Sequence, residues 1–287
     1  MIPPSFGYSA PRTLPEALKL LAQHGDVAKI IAGGHSLLPM MKLRFAQPGH
    51  LIDINRIPEL KGIREEGGLI KIGAMTTESE LIDSALLQQK VPLLAEAARQ
   101  IADPQVRNRG TLGGDIAHGD PGNDHPAIVV ALNATLILSG PKGQRSIAAA
   151  KFFHGTYLTE MHADEILTEI HVKPFSAKTG SAYCKLKRKT GDWATAAAAV
   201  VLEMSGGTVT AARIALTNVA QTALDAQAAA AAIVGKPLSD ATIKAAADAA
   251  MAICDPAEDL RGDIAYKTAM AGEMTKRAIR LAASRCK

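Results

Sequence analysis

Apolar positions recur along this chain at two periods, and the changes of period outline its elements. Thr13-Leu14-Pro15-Glu16 reads as an N-cap, a proline and an acidic first turn, Ala17, Leu18, Leu20 and Leu21 follow at helical spacing, and Gly25 closes the run. Residues 27–31 predict a short buried strand that runs directly into Ala32-Gly33-Gly34-His35-Ser36. Residues 37–45 look helical and 51–54 form a second strand. The result is a βαβ-like unit whose crossover favours a parallel pair.

Glycine punctuates the middle of the chain, between short strands predicted at 69–72, 135–138 and 165–172 and a helix at 92–98. Residues 174–180, rich in Pro, Ser, Lys and Gly, predict a boundary. It divides the chain into domains at 1–177, split internally near residue 57, and 178–287. Beyond it come strands at 182–186, 196–203 and 209–216, then helices at 223–234, 239–254 and 265–284. The alanine runs there carry Ile, Val and Met anchors at helical spacing, so they predict close-packed helices and not a low-complexity tail. An α+β fold class follows.

Composition narrows the function. The 287 residues suffice for a core without staples. Lys plus Arg is 32 against 28 Asp plus Glu, a net charge of +4, and the densest basic run is only Lys185-Leu186-Lys187-Arg188-Lys189. With aromatics at 3%, neither a phosphate-tracking face nor a base-stacking platform is expected, and nucleic acid is not a predicted partner. No run is apolar enough to span a bilayer and Met1-Ile2-Pro3-Pro4 lacks the features of a signal peptide, so a cytoplasmic protein that is not integral to a membrane is expected. Cys184, Cys254 and Cys286 lie far apart, which makes a zinc ribbon or a chain-borne iron–sulfur cluster improbable.

Two glycine pairs carry the chemistry. Gly33-Gly34 at a strand end permits close backbone approach to a ligand, successive free N–H groups there suit a pyrophosphate, and Ser36 adds a hydroxyl. Alone, such a pair is an ordinary tight turn, and neither a Gly-x-Gly-x-x-Gly nor a Walker motif is present. A second pair, Thr111-Leu112-Gly113-Gly114-Asp115, suits a dinucleotide pinched between two backbone segments.

Together with Leu37-Leu38-Pro39-Met40-Met41-Lys42-Leu43-Arg44, Ala102-Asp103-Pro104-Gln105-Val106-Arg107-Asn108 and residues 185–194, these loops resemble the flavin-binding signature of the xanthine dehydrogenase, or molybdenum hydroxylase, family, and within it the carbon monoxide dehydrogenase branch. The likeness covers essentially the whole chain. It implies a two-layer FAD-binding domain of the vanillyl-alcohol-oxidase (PCMH) type, followed by a small α/β domain with antiparallel strands and a helix bundle. By the same resemblance Ala32, Gly33, Gly34, His35, Ser36 and Leu37 hold the FAD pyrophosphate. Thr111, Leu112, Gly113, Gly114 and Asp115 hold its other side, Asp124 contacts the adenosine half, and Ile101, Leu167 and Lys185 border the cofactor. Many relatives have Asn at the position of Asp115. A carboxylate beside pyrophosphate is unfavourable, so its side chain is expected to turn toward backbone donors.

The implied role is electron relay, with no catalytic residue on this chain. CO and water become CO2 at a molybdenum–copper cofactor on a large subunit, a small subunit with 2Fe-2S clusters passes the electrons singly to FAD, and a quinone-like acceptor receives pairs. A dimer of heterotrimers is implied, either free in the cytoplasm or at the inner face of the cytoplasmic membrane. A purine- or aldehyde-oxidising relative is the alternative. So is a free-standing flavin oxidoreductase, which would need its own acid–base pair. His118, Asp120, Asp124 and His125 imitate a metal site, but read better as a polar loop. His35 either touches phosphate or ribose or serves as a spacer. Trp193 either shields the flavin, faces a partner or packs as an ordinary aromatic. Arg107 and Arg109 are expected near the phosphate.

Overall fold

The computed structural model describes all 287 residues, which fold as an α+β protein around three hydrophobic clusters. In the first lobe Thr13 caps the helix Leu14–His24, its hydroxyl accepting from the Glu16 N–H at 3.3 Å. The helix covers a three-stranded parallel sheet in the order Gly7–Ser9, His50–Asp53, Ala28–Ile31. The parallel pairing of 28–31 with 50–53, expected from the crossover, is present, with Ile30 opposite Ile52. Ala17, Leu21, Ile52 and Ile54 make the small core beneath.

Next comes a five-stranded antiparallel sheet, ordered Ile63–Glu66, Leu69–Gly73, Ile166–Val172, Thr135–Gly140, Gly143–Ala148. The helices Pro92–Gln100, Leu112–His118 and His125–Ala131 contribute Leu93, Leu94, Ile116 and Ile128 to the largest core, which also takes Ile70, Ile72, Leu136 and Ile170 from the sheet. The two outermost strands of this sheet, and Gly7–Ser9 in the first, were not expected from the sequence.

The last sheet is antiparallel: Thr179–Leu186, Ala196–Ser205, Thr208–Thr217, Leu224–Asp225. Alternation along Ala196–Ser205 sends Ala197 and Ala199 into the large core, and Ala196, Ala198, Val200 and Leu202 against the terminal helices. Alanine is a poor strand former, and it serves here because both faces are covered at close range. A Cβ on Gly180 would lie 2.0 Å from the Ala282 carbonyl oxygen of the helix Ile264–Ala283. The segment expected to be helical from residue 223 begins instead with the strand Leu224–Asp225, and its helix runs only over Gln227–Ile233. The other two helices, Asp240–Met251 and Ile264–Ala283, match expectation to within a few residues. No helix is long and apolar enough to cross a membrane.

Candidate functional site

Where the first lobe meets the five-stranded sheet, the chain leaves a cleft of about 680 Å³, within the range of pockets that bind small molecules and cofactors. The strand Ala28–Ile31 delivers Ala32 to Ser36 to its rim. From Gly33 through Leu37 five successive backbone N–H groups find no acceptor within the chain. Gly34 takes φ +78°, and Ser36 is right-handed with its hydroxyl free of any capping bond. Such an arrangement turns N–H groups to one side as a concavity for an anion. Asn55 steadies the loop by donating from Nδ2 to the Ala32 carbonyl at 2.8 Å. The His35 ring nitrogen Nδ1 donates to the Gly33 carbonyl at 3.0 Å, which leaves the His35 main-chain N–H open.

The second glycine pair is not a loop. Thr111 caps the helix Leu112–His118, its hydroxyl accepting from the Gly114 N–H at 3.2 Å. The other N–H groups of this turn are also occupied: Leu112 donates to Thr76 O, Gly113 to Ala74 O and Asp115 to Thr111 O. The pinch between two backbone segments expected from the sequence is therefore asymmetric: the first segment offers five free donors in a row, the second only the Thr111 N–H. Glycine is needed in the second for packing. A Cβ on Gly113 would meet the Ala74 Cβ at 2.4 Å, and one on Gly114 the Thr111 hydroxyl at 2.7 Å. Gly33 is constrained in the same way, since its Cβ would fall 2.3 Å from the Arg109 carbonyl oxygen. The two segments are thus seated on each other.

Of the fifteen residues singled out, all but Leu112 line this cleft. Leu112 is fully buried in the large core, because the helix it begins turns that face inward. Ile101 ends the helix Pro92–Gln100, followed by Ala102 at φ +42°. Arg107 holds this bend by donating to the carbonyls of Ile101 at 2.8 Å and Ala102 at 3.3 Å. Neither Arg107 nor Arg109 lines the cleft, contrary to expectation, because Arg107 is spent on those carbonyls and Arg109 lies behind the first loop.

Beneath the cleft lies a polar network that sequence reasoning missed. Glu78, at the start of the helix Glu78–Asp83, is 2% exposed and pairs with the fully buried His125, Nε2 to Oε2 at 2.7 Å. Burial pulls the imidazole down, but Glu78 and then Asp115 and Asp124 outweigh it and hold His125 at about 9. Its Nδ1 has no partner. Asp124 accepts from the Tyr183 hydroxyl and from Lys185 Nζ at 2.6 Å, all three buried. Asp115 turns Oδ2 to the His125 backbone N–H at 3.3 Å, as expected of a carboxyl avoiding an anion, and burial raises it to about 7. No spacing announced these contacts. Glu78 and His125 are 47 positions apart, and Tyr183 and Asp124 are 59.

The four residues that imitate a metal site are engaged separately. His118 packs its ring at a tilt against Tyr157, Asp120 accepts from the Gly122 N–H at 2.8 Å, and Asp124 and His125 belong to the network above. At the cleft mouth Trp193 is half-exposed, donates to Asn123 at 3.4 Å and lies under the Arg261 guanidinium. Asp192 beside it, buried, accepts from both Arg188 and Arg261 at 2.8 Å.

A curved row of free N–H groups against a deep cleft fits a flavin dinucleotide's pyrophosphate, and the comparisons with known proteins agree. Residues 4–174 match the family described as FAD binding domain in molybdopterin dehydrogenase, and residues 181–282 match the CO dehydrogenase flavoprotein C-terminal domain. The chain is 62% identical to the carbon monoxide dehydrogenase medium chain of Hydrogenophaga pseudoflava and 49% identical to that of Afipia carboxidovorans, with all of each chain covered. It superposes on the corresponding chain of a solved Hydrogenophaga pseudoflava carbon monoxide dehydrogenase with a TM-score of 0.99, at 65% identity over the full length of both. The chain belongs to the FAD-binding flavoprotein family of the molybdopterin dehydrogenases.

Proposed function

We propose that this chain is the FAD-binding medium subunit of a carbon monoxide dehydrogenase. It takes electrons singly from an iron–sulfur subunit after CO and water become CO2 at a molybdenum–copper centre on a large subunit, and passes them on in pairs to a quinone-like acceptor. The observation that carries this reading is the 62% identity, end to end, with a carbon monoxide dehydrogenase medium chain. Bound FAD supplies the interconversion between one- and two-electron steps. The chain's own task is to bind and orient it. The N–H groups of Gly33 to Leu37 and the Ser36 hydroxyl would hold the pyrophosphate. Thr111, Gly113 and Gly114 would form the opposing wall, while Ile101 and Leu167 would give apolar contact and exclude water. Asp124 and Lys185, tied to each other, would present a polar edge toward the nucleoside. The three cysteines are separate and free, so they leave the iron–sulfur clusters to a partner chain.

We further propose a domain boundary between residues 177 and 178, a dimer of heterotrimers, and a cytoplasmic location, free or at the inner face of the membrane. Anaerobic visible spectra of the purified complex test the reading. Loss of the oxidised flavin bands on adding CO is the expected result. Bands that persist under CO but bleach with a purine or an aldehyde would reassign the substrate, and a complex without flavin would remove the cofactor role.

A further inference from the structure

The polar floor of the cleft has an odd carboxyl. Glu78 has its own cation in His125 at 2.7 Å, and Asp124 has Lys185 at 2.6 Å together with the Tyr183 hydroxyl. Asp115 has neither. Its only partner is a backbone N–H at 3.3 Å, and it lines the same cleft as the free N–H row. Its neighbour Gly114 is the position whose Cβ would lie 3.4 Å from the Cβ of Ala32, where that row begins. The groups that act on it come from the packed elements: Glu78 from one helix, Asp124 and His125 from the next, and Tyr183 from the adjoining strand, where Lys185 is paired to Asp124. With Tyr183 neutral, an ionised Asp115 makes three carboxylates against the two cations His125 and Lys185. A pyrophosphate brought into the cleft adds two more negative charges on the side where Asp115 is uncompensated.

We propose that Asp115 carries a proton whenever FAD is bound, so that the cleft takes up one proton from solvent with the cofactor and holds it less tightly as the pH rises. This rests on the assignment of the cleft to FAD. The balance is simple: an ionised Asp115, one proton and FAD give a neutral carboxylic acid beside the bound cofactor, with no bond made or broken elsewhere. The acid keeps Oδ2 as acceptor for the His125 N–H and gains an O–H donor at Oδ1, the donor–acceptor pattern of a carboxamide. An aspartate thereby does at this position what an asparagine would do, but only while protonated. The half-buried carboxyl of the free cleft, already raised to about 7, is poised so that the linkage falls at physiological pH.

The experiment uses the whole complex stripped of FAD. Calorimetric titration with FAD near pH 8 in phosphate and in Tris, buffers of very different ionisation heat, gives the protons taken up directly. The pyrophosphate is fully ionised throughout and adds none. Uptake close to one proton per FAD is expected, with Kd rising up to about tenfold per pH unit above pH 7. In Asp115→Asn the uptake should vanish and the pH profile flatten, while FAD still binds. Binding without proton uptake by the unmodified complex overturns the proposal alone, as does an Asn variant that keeps the uptake. Failure to bind FAD at any pH overturns the cofactor assignment itself, a result that cannot be mistaken for the other.

Discussion

Gly33→Ala isolates the seating of one glycine segment on the other. The added Cβ would stand 2.3 Å from the Arg109 carbonyl oxygen and 2.9 Å from the Gly110 Cα, both backbone atoms that cannot swing aside. Ordinary contact requires the two segments to part by about 1 Å, and forced repacking of this kind typically costs about 1–3 kcal/mol. In the empty protein the loop can relieve the strain by lifting off beyond Ala32, which Asn55 holds, because its five N–H groups make no other bond. Bound FAD removes that escape, since it needs the donors where they now sit. The cost should therefore appear in cofactor affinity, roughly ten- to a hundredfold in Kd at about 1.4 kcal/mol per tenfold, and barely in the melting temperature of the FAD-free protein. Gly113→Ala is the contrast. Its Cβ would strike Ala74 inside the packed core, so melting should fall in the empty protein. FAD titration followed by flavin fluorescence, alongside thermal melts of both empty variants, separates the two effects. A Gly33→Ala complex with unchanged Kd would refute the interlocked-segment reasoning.

Lys185→Met leaves Asp124 buried with only a tyrosine hydroxyl, and stranding one member of a buried pair costs about 3–5 kcal/mol, readable as a large drop in denaturant midpoint. Hydrogen bonds from Arg188 and then Arg261 outweigh burial and hold Asp192 at about 2, below its unfolded value, so this pairing stabilises above about pH 4 and is lost as pH falls toward 2; Arg261→Met should weaken that acid limb in a pH series of melts. His125 is raised to about 9 and Asp115 to about 7, so the folded chain holds more protons than the unfolded one and the melting temperature should fall with rising pH, the Asp115 part between about pH 4 and 7 and the His125 part between about 6.5 and 9. In Glu78→Gln the part of that alkaline decline due to His125 should shrink, because the carboxylate that keeps the imidazole charged is gone.

What the sequence made legible was local. Thr13 before a proline and an acid, Gly33-Gly34 after a β-rich run, and the anchors of the C-terminal helices all act within one or two turns, so pattern alone located them. The strands Ile63–Glu66 and Gly143–Ala148 were missed because they are sheet edges with mostly exposed residues. Thr111-Leu112-Gly113-Gly114 read as a loop because glycine disfavours helices, yet the Thr111 cap and the lack of room beside Ala74 decide otherwise. The Glu78–His125 and Asp124–Tyr183 contacts join separate elements, and only the assembled fold brings them together. Arg107 shows the opposite error, a charge assigned to a ligand when the carbonyls of Ile101 and Ala102 claim it first.

The interlock of Gly33 with Arg109 and Gly110 also governs when the cofactor can be loaded during the protein's life. A ribosome releases the donor loop well before the segment on which it rests, and the Lys185 that neutralises the cleft's far edge emerges later still. A growing chain therefore has no complete pocket to offer until the residues through Lys185 have emerged, so loading waits on the whole of the first domain and the opening strand of the second.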